Sequence, residues 1–456
     1  MSDLHTVLSL HHQLATAYLD DVAHRPVRPY ISPEALAAQL ALLPGAEGIS
    51  LKAVARQLKP VLTHTPATSS RSFFNQLFGG SDPAAVLGDM LAPLLNNSMY
   101  TYKAAGPHVL IENALITRMA GLAGMPRGEG TFTPGGSMSN QTAMMLARNE
   151  ALDGIREGGL AGQRLRVYTS SASHYSIRKA AGMLGIGRDN VVDIGVDDEG
   201  RLDPRALAAA IAADRAEGFV PVMINATAGT TVQGAFDPID AVADIAEAEG
   251  VWLHVDGAWG GSFLLSEQTR HRLAGLERAD SFTWDAHKMM GVPLTCSLLL
   301  VREPGLLTRH LCEQATYLLQ GDSARYNPAT RSIQCGRRND SLKLWTAWLH
   351  HGDSGYARRI EACVALAAHA AATIRAAPDL TLLHRPQSLN VCFVVRGRDS
   401  ADITRALHER GLAMVGTGVV RGETSIRLVC VDPDMTPADI DAFFTHVRAV
   451  AGHTAA

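Results

Sequence analysis

Between about residue 107 and residue 340, two kinds of apolar spacing alternate along the chain. Apolar residues recurring every three or four positions predict helices over 109–124, 139–151, 176–184, 204–213 and 238–249. Between them, short runs rich in Val, Ile and Leu predict strands over 165–169, 191–196, 220–225, 251–256, 281–284 and 297–302. Near-continuous apolar strands alternating with helices describe a mainly parallel sheet covered on both faces. In such a sheet, ligands sit beyond the carboxyl ends of the strands.

The flanks read differently. Residues 1–65 are expected to be mostly helical; the run from Pro33 to Leu43 has Ser32 as N-cap and proline in the first turn. The stretch from Arg71 to Gly80 mixes aromatics, amides and glycines and reads as an irregular connection. Residues 304–338 are polar and interrupted by Gly321 and Pro328, as in a mobile loop. Helices over 342–350 and 355–376 follow, then a strand over 388–395, a helix over 401–410, a strand over 424–431 and a helix over 437–449. The expected organisation is a helical N-terminal segment (1–80), a large α/β domain (81–340) and a small C-terminal α+β domain (341–456).

Composition narrows the function classes. With 46% apolar residues among 456, the chain can bury a sizeable core. A net charge of −4 provides no basic footprint for nucleic acid. Six cysteines form no C-x-x-C pair and no His-rich spacing, which argues against a zinc site or a disulfide framework and fits a reducing compartment. No basic leader and no long uncharged apolar run stand out, so a cytoplasmic protein without a membrane span is expected.

Candidate chemistry gathers at predicted strand ends. Lys288 follows the 281–284 run, behind Asp285, Ala286 and His287, and Asp256 closes the 251–256 run. A lysine that can form an imine and a strand-end carboxylate that can face a pyridine nitrogen are what pyridoxal 5′-phosphate requires. The turn Gly135-Gly-Ser-Met-Ser-Asn before a helix can cup a phosphate, although Gly-Gly-Ser is also a common helix start. His174 follows the 165–169 strand and could stack on a flat cofactor; a lone histidine is more often a cap or packing residue. Thr230 and Thr231 follow the 220–225 strand, where a simple turn would also place them. Four strand ends that each deliver what one cofactor needs make coincidence a poor explanation. They point to a pyridoxal-phosphate enzyme of the aspartate-aminotransferase-like fold.

The motifs carry a resemblance as well. Phe73-Phe-Asn-Gln-Leu, Pro134-Gly-Gly-Ser-Met-Ser-Asn, His174-Tyr-Ser-Ile, Ala226-Thr-Ala-Gly-Thr-Thr, His254-Val-Asp-Gly-Ala-Trp-Gly-Gly, Trp284-Asp-Ala-His-Lys-Met-Met, Tyr317-Leu-Leu-Gln and Ile333-Gln-Cys-Gly-Arg occur in this order. Together they resemble the pyridoxal-phosphate-dependent amino-acid decarboxylases, and most nearly the glutamate/cysteine-sulfinate branch, from about Arg71 to Phe444. The resemblance implies fold type I and a homodimer with shared active sites. It implies that Lys288 tethers the cofactor, Asp256 pairs with its ring nitrogen and His174 stacks on the ring. Ser137, Met138, Ser139, Thr231, Asp285 and His287 would hold the cofactor, with Cys335 and Gly336 serving the neighbouring subunit's site. Tyr317 would return a proton to the carbon that loses carbon dioxide. Arg427 would bind a substrate carboxylate, and Gln76, Phe78, Ser98 and Tyr100 would border the substrate.

A bulky Phe78 and Tyr100 would shorten the pocket and favour aspartate or cysteine sulfinate over glutamate, by roughly 1–3 kcal/mol for one methylene. Glutamate or diaminobutyrate decarboxylation is the alternative within the family. An aminotransferase or carbon–carbon lyase would not need the Tyr317 loop, and a non-catalytic homologue would not need the whole residue set. Asp285 stands where the branch usually has asparagine, and Lys103 where it has glutamate.

Overall fold

The computed structural model describes residues 2–22, 25–40, 42–43, 45–313 and 326–452. Twelve strands are described: β1 (Phe73–Phe74), β2 (Glu129–Thr133), β3 (Leu165–Ser170), β4 (Val191–Ile194), β5 (Val220–Thr227), β6 (Trp252–Asp256), β7 (Ser281–Asp285), β8 (Ser297–Val301), β9 (Leu380–Leu382), β10 (Asn390–Val395), β11 (Met414–Val420) and β12 (Glu423–Val429). The chain divides into two units. One holds Met1–Gly80, His369–Leu383 and Val391–Ala456; the other holds Ser81–Ala368 and His384–Asn390.

The larger unit is built on a seven-stranded sheet of order β2-β8-β7-β6-β5-β3-β4. β4, β3, β5, β6 and β7 run parallel, while β8 is antiparallel to both β7 and β2. Every residue of β7 and β8 is buried, as expected for strands covered on both faces. The crossover helices have local reasons to start and stop. Asp203 caps Pro204–Ala216 by accepting from the Arg205 and Ala206 amides, and Gly250 ends Ile239–Glu249 in the left-handed conformation. A hydrophobic core of Met144, Leu165, Val167, Ile177, Val191 and Met223 joins helices to strands on one side. The helical run Ser341–Ala376 is broken at Gly352, whose φ of 61° leaves the helical region. That is the gap expected between the predicted helices 342–350 and 355–376.

The other unit contains a five-stranded sheet of order β1-β11-β12-β10-β9. The helix Pro437–Ala451 closes it, started by a capping box between Thr436 and Asp439 and ended at Gly452. Phe443 packs 5.0 Å from Phe74 and 6.4 Å from Phe393, centroid to centroid. The helices Ser2–Val22 and Leu51–His64 belong to this unit as well.

Several expectations shift. The helix begun at Pro33 has the Ser32 cap but ends at Ala37, and none of its residues is buried. Without an apolar face to bury, so short a helix has little to sustain it. Phe73 and Phe74, expected in an irregular connection, pair in parallel with Met414 and Val415. β11 was hidden by its glycines, in Met-Val-Gly-Thr-Gly-Val-Val, and β2 by its polar sequence, Glu-Gly-Thr-Phe-Thr. β2 forms because β8 lies alongside it: a Cβ at Gly130 would stand 2.8 Å from the Leu299 carbonyl oxygen. The expected mobile loop falls partly on residues 314–325, Tyr317 among them, outside the described residues.

Candidate active site

In the larger unit the carboxyl ends of β2, β3, β5, β6 and β7 deliver the predicted residues. Asp256 is the last residue of β6 and is buried. Its Oδ1 accepts from the Ala258 amide at 3.1 Å and its Oδ2 from Asn140 Nδ2 at 2.8 Å. Lys288 lies in the turn after β7, which is closed by its own amide donating to the Asp285 carbonyl at 3.2 Å. Its Nζ is 3.3 Å from Asp285 Oδ2, and the side chain is 21% exposed. The amine is therefore held by a carboxylate yet accessible to a reactant.

His287 and Asp285 complete this turn. His287 Nδ1 lies 3.1 Å from the Cys296 carbonyl oxygen, and Nε2 is 3.6 Å from Asp285 Oδ2. Burial holds the imidazole below its usual pKa, against the upward pull of Asp285. Asp285 is itself 2% exposed, and its Oδ1 has no hydrogen-bond partner among the described residues.

The glycine turn meets the same carboxylate. Gly135 has φ 131°, a conformation suited to glycine, and leads into the 16-residue helix Gly136–Ala151. A Cβ at Gly136 would stand 2.7 Å from Asp285 Oδ2 and 3.2 Å from Ala258 Cβ. The helix start is therefore pressed onto the Lys288 turn with room for backbone only. Ser137 is exposed, Met138 half-buried, and Ser139 buried with its Oγ 2.6 Å from Thr133 Oγ1. His174 is half-buried, its Nδ1 accepts from the Ser176 amide at 3.3 Å, and its ring lies 4.1 Å from that of Tyr175. Burial lowers its pKa most; Asp256 and Asp285 oppose that shift and Lys288 adds to it. Those three charges all act on this one ring. Thr231 offers its carbonyl to Asn390 Nδ2 at 3.0 Å.

Ser98 and Tyr100 are half-buried beside the segment that carries Cys335 and Gly336. The Met99 amide donates to the Arg337 carbonyl at 3.0 Å, and a Cβ at Gly336 would be 3.3 Å from Ser98 Oγ. Arg337 forms a buried ion pair with Glu112 that fixes this segment. Cys335 is exposed. Gln76, Phe78 and Arg427 belong to the other unit. There Arg427 Nη2 donates to the Asn75 carbonyl at 2.7 Å, Gln76 is exposed, and the Phe78 ring is 6.5 Å from Phe73.

Pyridoxal phosphate fits the larger unit's constellation. An amine at the site, a buried strand-end carboxylate and a glycine-led helix start are the three features its aldehyde, ring nitrogen and phosphate call for. The acid at Asp285 is matched by Lys288 at 3.3 Å. A separate cleft of about 750 Å³ opens at the opposite ends of the strands, lined by Glu150, Trp252, Arg278 and Arg302. Two of its arginines are paired, Arg278 with Asp240, Asp244 and Glu247 and Arg302 with Asp280, and none of the Lys288 constellation lines it.

Sequence reasoning missed Asn140 and His254. Both stood within quoted motifs without a role; each lies buried in the polar network behind Asp256. A polar residue directly after a phosphate-cup serine, Asn140 after Ser139, was the available signal, but only the fold shows where it points.

The family described as pyridoxal-dependent decarboxylase conserved domain matches residues 46–396, and the chain belongs to it. It is a pyridoxal-phosphate-dependent amino-acid carboxy-lyase of fold type I. Cysteine sulfinic acid decarboxylase of Mus musculus is 38% identical over 442 residues, covering 92% of this chain and 90% of the relative. Acidic amino acid decarboxylase GADL1 of Xenopus tropicalis is 38% identical over 406 residues, covering 84% and 80%. Among solved structures, mouse CSAD in apo form superimposes with a TM-score of 0.94 at 35% identity, covering 99% of both chains. Oryza sativa TDC with PLP and tryptamine gives 0.92 at 26% identity, covering 99% and 98%.

Proposed function

We propose that the chain decarboxylates a small acidic L-amino acid, with cysteine sulfinate favoured and aspartate next, to the primary amine and carbon dioxide. The observation that carries the substrate class is the likeness to cysteine sulfinic acid decarboxylase along nine-tenths of the chain. The bulk of Phe78 and Tyr100, which the resemblance assigns to the substrate, fits a preference for the shorter acids. When bound, the cofactor supplies an electron sink for the pair released from the Cα–carboxylate bond.

The chain's own residues have distinct tasks in this reading. Lys288 would tether the cofactor through its amine and yield that place to the substrate amine, with Asp285 keeping the lysine amine at the site. Asp256 would hold the ring nitrogen's proton, and His174 would support the ring. The start of the helix Gly136–Ala151, with Ser137, Met138, Ser139, Thr231 and His287, holds the phosphate. Arg427 offers a planar fork to a substrate carboxylate, a better match than a lysine point charge. Tyr317 returns a proton to the α carbon.

The reading includes a homodimer in the cytoplasm, with Cys335 and Gly336 serving the partner's site. The helix Leu51–His64 buries none of its residues, and Leu51, Val54, Leu58 and Val61 are each at least 40% exposed. At spacings of three and four these residues form one apolar face that a second copy would cover. Among the described residues no helix is long and apolar enough to cross a membrane, and the six cysteines are unbridged.

The test is a set of initial rates for purified holoprotein with cysteine sulfinate, aspartate, glutamate and diaminobutyrate, following both carbon dioxide and amine. The expected order of kcat/KM has cysteine sulfinate first and glutamate at least about tenfold lower. Preference for glutamate or diaminobutyrate rejects the substrate assignment, and keto acid without carbon dioxide would point to transamination.

A further inference from the structure

Behind Asp256 the larger unit holds a buried chain of polar side chains that crosses the sheet. Trp252 Nε1 donates to Ser281 Oγ at 2.8 Å, and Ser281 Oγ is 2.8 Å from His254 Nδ1. His254 Nε2 is 3.0 Å from Asn140 Oδ1, and Asn140 Nδ2 donates to Asp256 Oδ2 at 2.8 Å. Thr283 Oγ1 donates to the same Asn140 Oδ1 at 2.8 Å, and Asn140 Nδ2 also donates to Ser176 Oγ at 3.0 Å. Ser281, His254, Thr283 and Asn140 are all 1% exposed or less.

The direction of every proton follows from the carboxylate. Asp256 Oδ2 can only accept here, so the Asn140 amide must turn its nitrogen toward it and its oxygen toward His254. An amide oxygen cannot donate, so His254 carries its proton on Nε2. Burial pushes the His254 pKa down to about 4, despite the upward pull of Asp256, so the ring is neutral at ordinary pH and Nδ1 is bare. Bare Nδ1 accepts from the Ser281 hydroxyl, whose oxygen in turn accepts from Trp252. Each donor in the chain points toward Asp256. Both amide hydrogens and the oxygen of Asn140 are engaged, so the amide cannot rotate without orphaning a buried group.

We propose that Asn140, His254 and Ser281 are positioning residues, a one-way donor chain that keeps the Asp256 carboxylate ionised and fixed in one orientation toward the protonated ring nitrogen of the cofactor. This rests on Asp256 facing that nitrogen, as proposed above. Each member holds the next in orientation, so the effect should be largest at Asn140, which touches the carboxylate, and weaker at each step outward. A purely structural role for the same residues would show no such grading and no dependence on the ring nitrogen.

The experiment uses two ligands that form no imine: pyridoxine 5′-phosphate and its 1-deaza analogue, in which carbon replaces the ring nitrogen. Each is titrated calorimetrically into apoprotein, wild type and the variants Asn140→Ala, His254→Phe and Ser281→Ala. Thermal unfolding identifies variants that are folded, and Ser281→Ala removes a single oxygen where His254→Phe or Asn140→Ala fails to fold. The wild type should prefer the nitrogen-containing ligand by about tenfold or more, the scale of a charge-assisted hydrogen bond. That preference should fall by about tenfold in Asn140→Ala and about threefold in Ser281→Ala, with the 1-deaza affinity within about twofold of wild type. An unchanged preference in folded variants, or an equal loss for both ligands, overturns the donor chain while leaving the role of Asp256 intact. A wild type that does not distinguish the ligands overturns the pairing of Asp256 with the ring nitrogen and this proposal with it.

Discussion

Asp285 stands where the Lys288 turn meets the glycine turn. Its carboxylate is buried and one oxygen is unpartnered among the described residues, while the other is shared by Lys288 and His287. A cofactor phosphate settling at the adjacent helix start would bring negative charge toward that carboxylate, an expensive neighbour at low local dielectric. Asp285→Asn keeps the shape and removes the charge, so cofactor should bind about tenfold more tightly, the equivalent of roughly 1.4 kcal/mol. Reconstitution of apoprotein followed by absorbance measures this; unchanged or weaker binding would show that the carboxylate's hold on Lys288 outweighs its repulsion of the phosphate. Arg427 belongs to the same scale. Arg427→Lys should lower kcat/KM for the acidic substrate by about a hundredfold, because a point charge cannot replace two parallel donors. Steady-state rates check it, and a loss below about threefold would remove the residue from substrate recognition.

At the scale of elements, the glycine turn and the Lys288 turn are read most clearly as a pair. Gly136→Ala would place a methyl carbon 2.7 Å from Asp285 Oδ2 and 3.2 Å from Ala258 Cβ. Both neighbours are buried, so the helix start must retreat, and cofactor affinity should fall by at least about tenfold with little change in the thermal midpoint of the apoprotein. Titration with pyridoxal phosphate tests this, and unaltered affinity would place the phosphate elsewhere. The strands that carry Asp256 and Lys288 were legible because burial on both faces leaves unbroken apolar runs. β2 and β11 were not, since their glycines and threonines signal turns unless a neighbouring strand is known. The Asn140–His254 connection was likewise invisible: it joins a helix to a strand across 114 residues. Motif spacing reports which residues occur and not which way a buried amide faces.

For the whole molecule, sequence pattern predicted a mainly parallel sheet and two flanking segments, and the sheet order β2-β8-β7-β6-β5-β3-β4 is mostly parallel with two antiparallel pairings at β8. What pattern could not supply was which distant segments pair, as in β1 with β11, because that depends on tertiary contact. The apolar face of the helix Leu51–His64 bears on assembly. If the proposed homodimer shares its sites, Leu58→Glu should leave the protomer folded and shift the protein from dimer to monomer, with activity lost in parallel. Light scattering combined with rate measurement checks both, and a monomer with full activity would end the shared-site reading. The central claim is that Lys288 is the residue on which the cofactor is carried. Borohydride reduction of the holoprotein, proteolysis and mass spectrometry of the peptides measure it directly: the account predicts a stable pyridoxyl adduct on Lys288, absent in Lys288→Ala, and an adduct on any other lysine would contradict it.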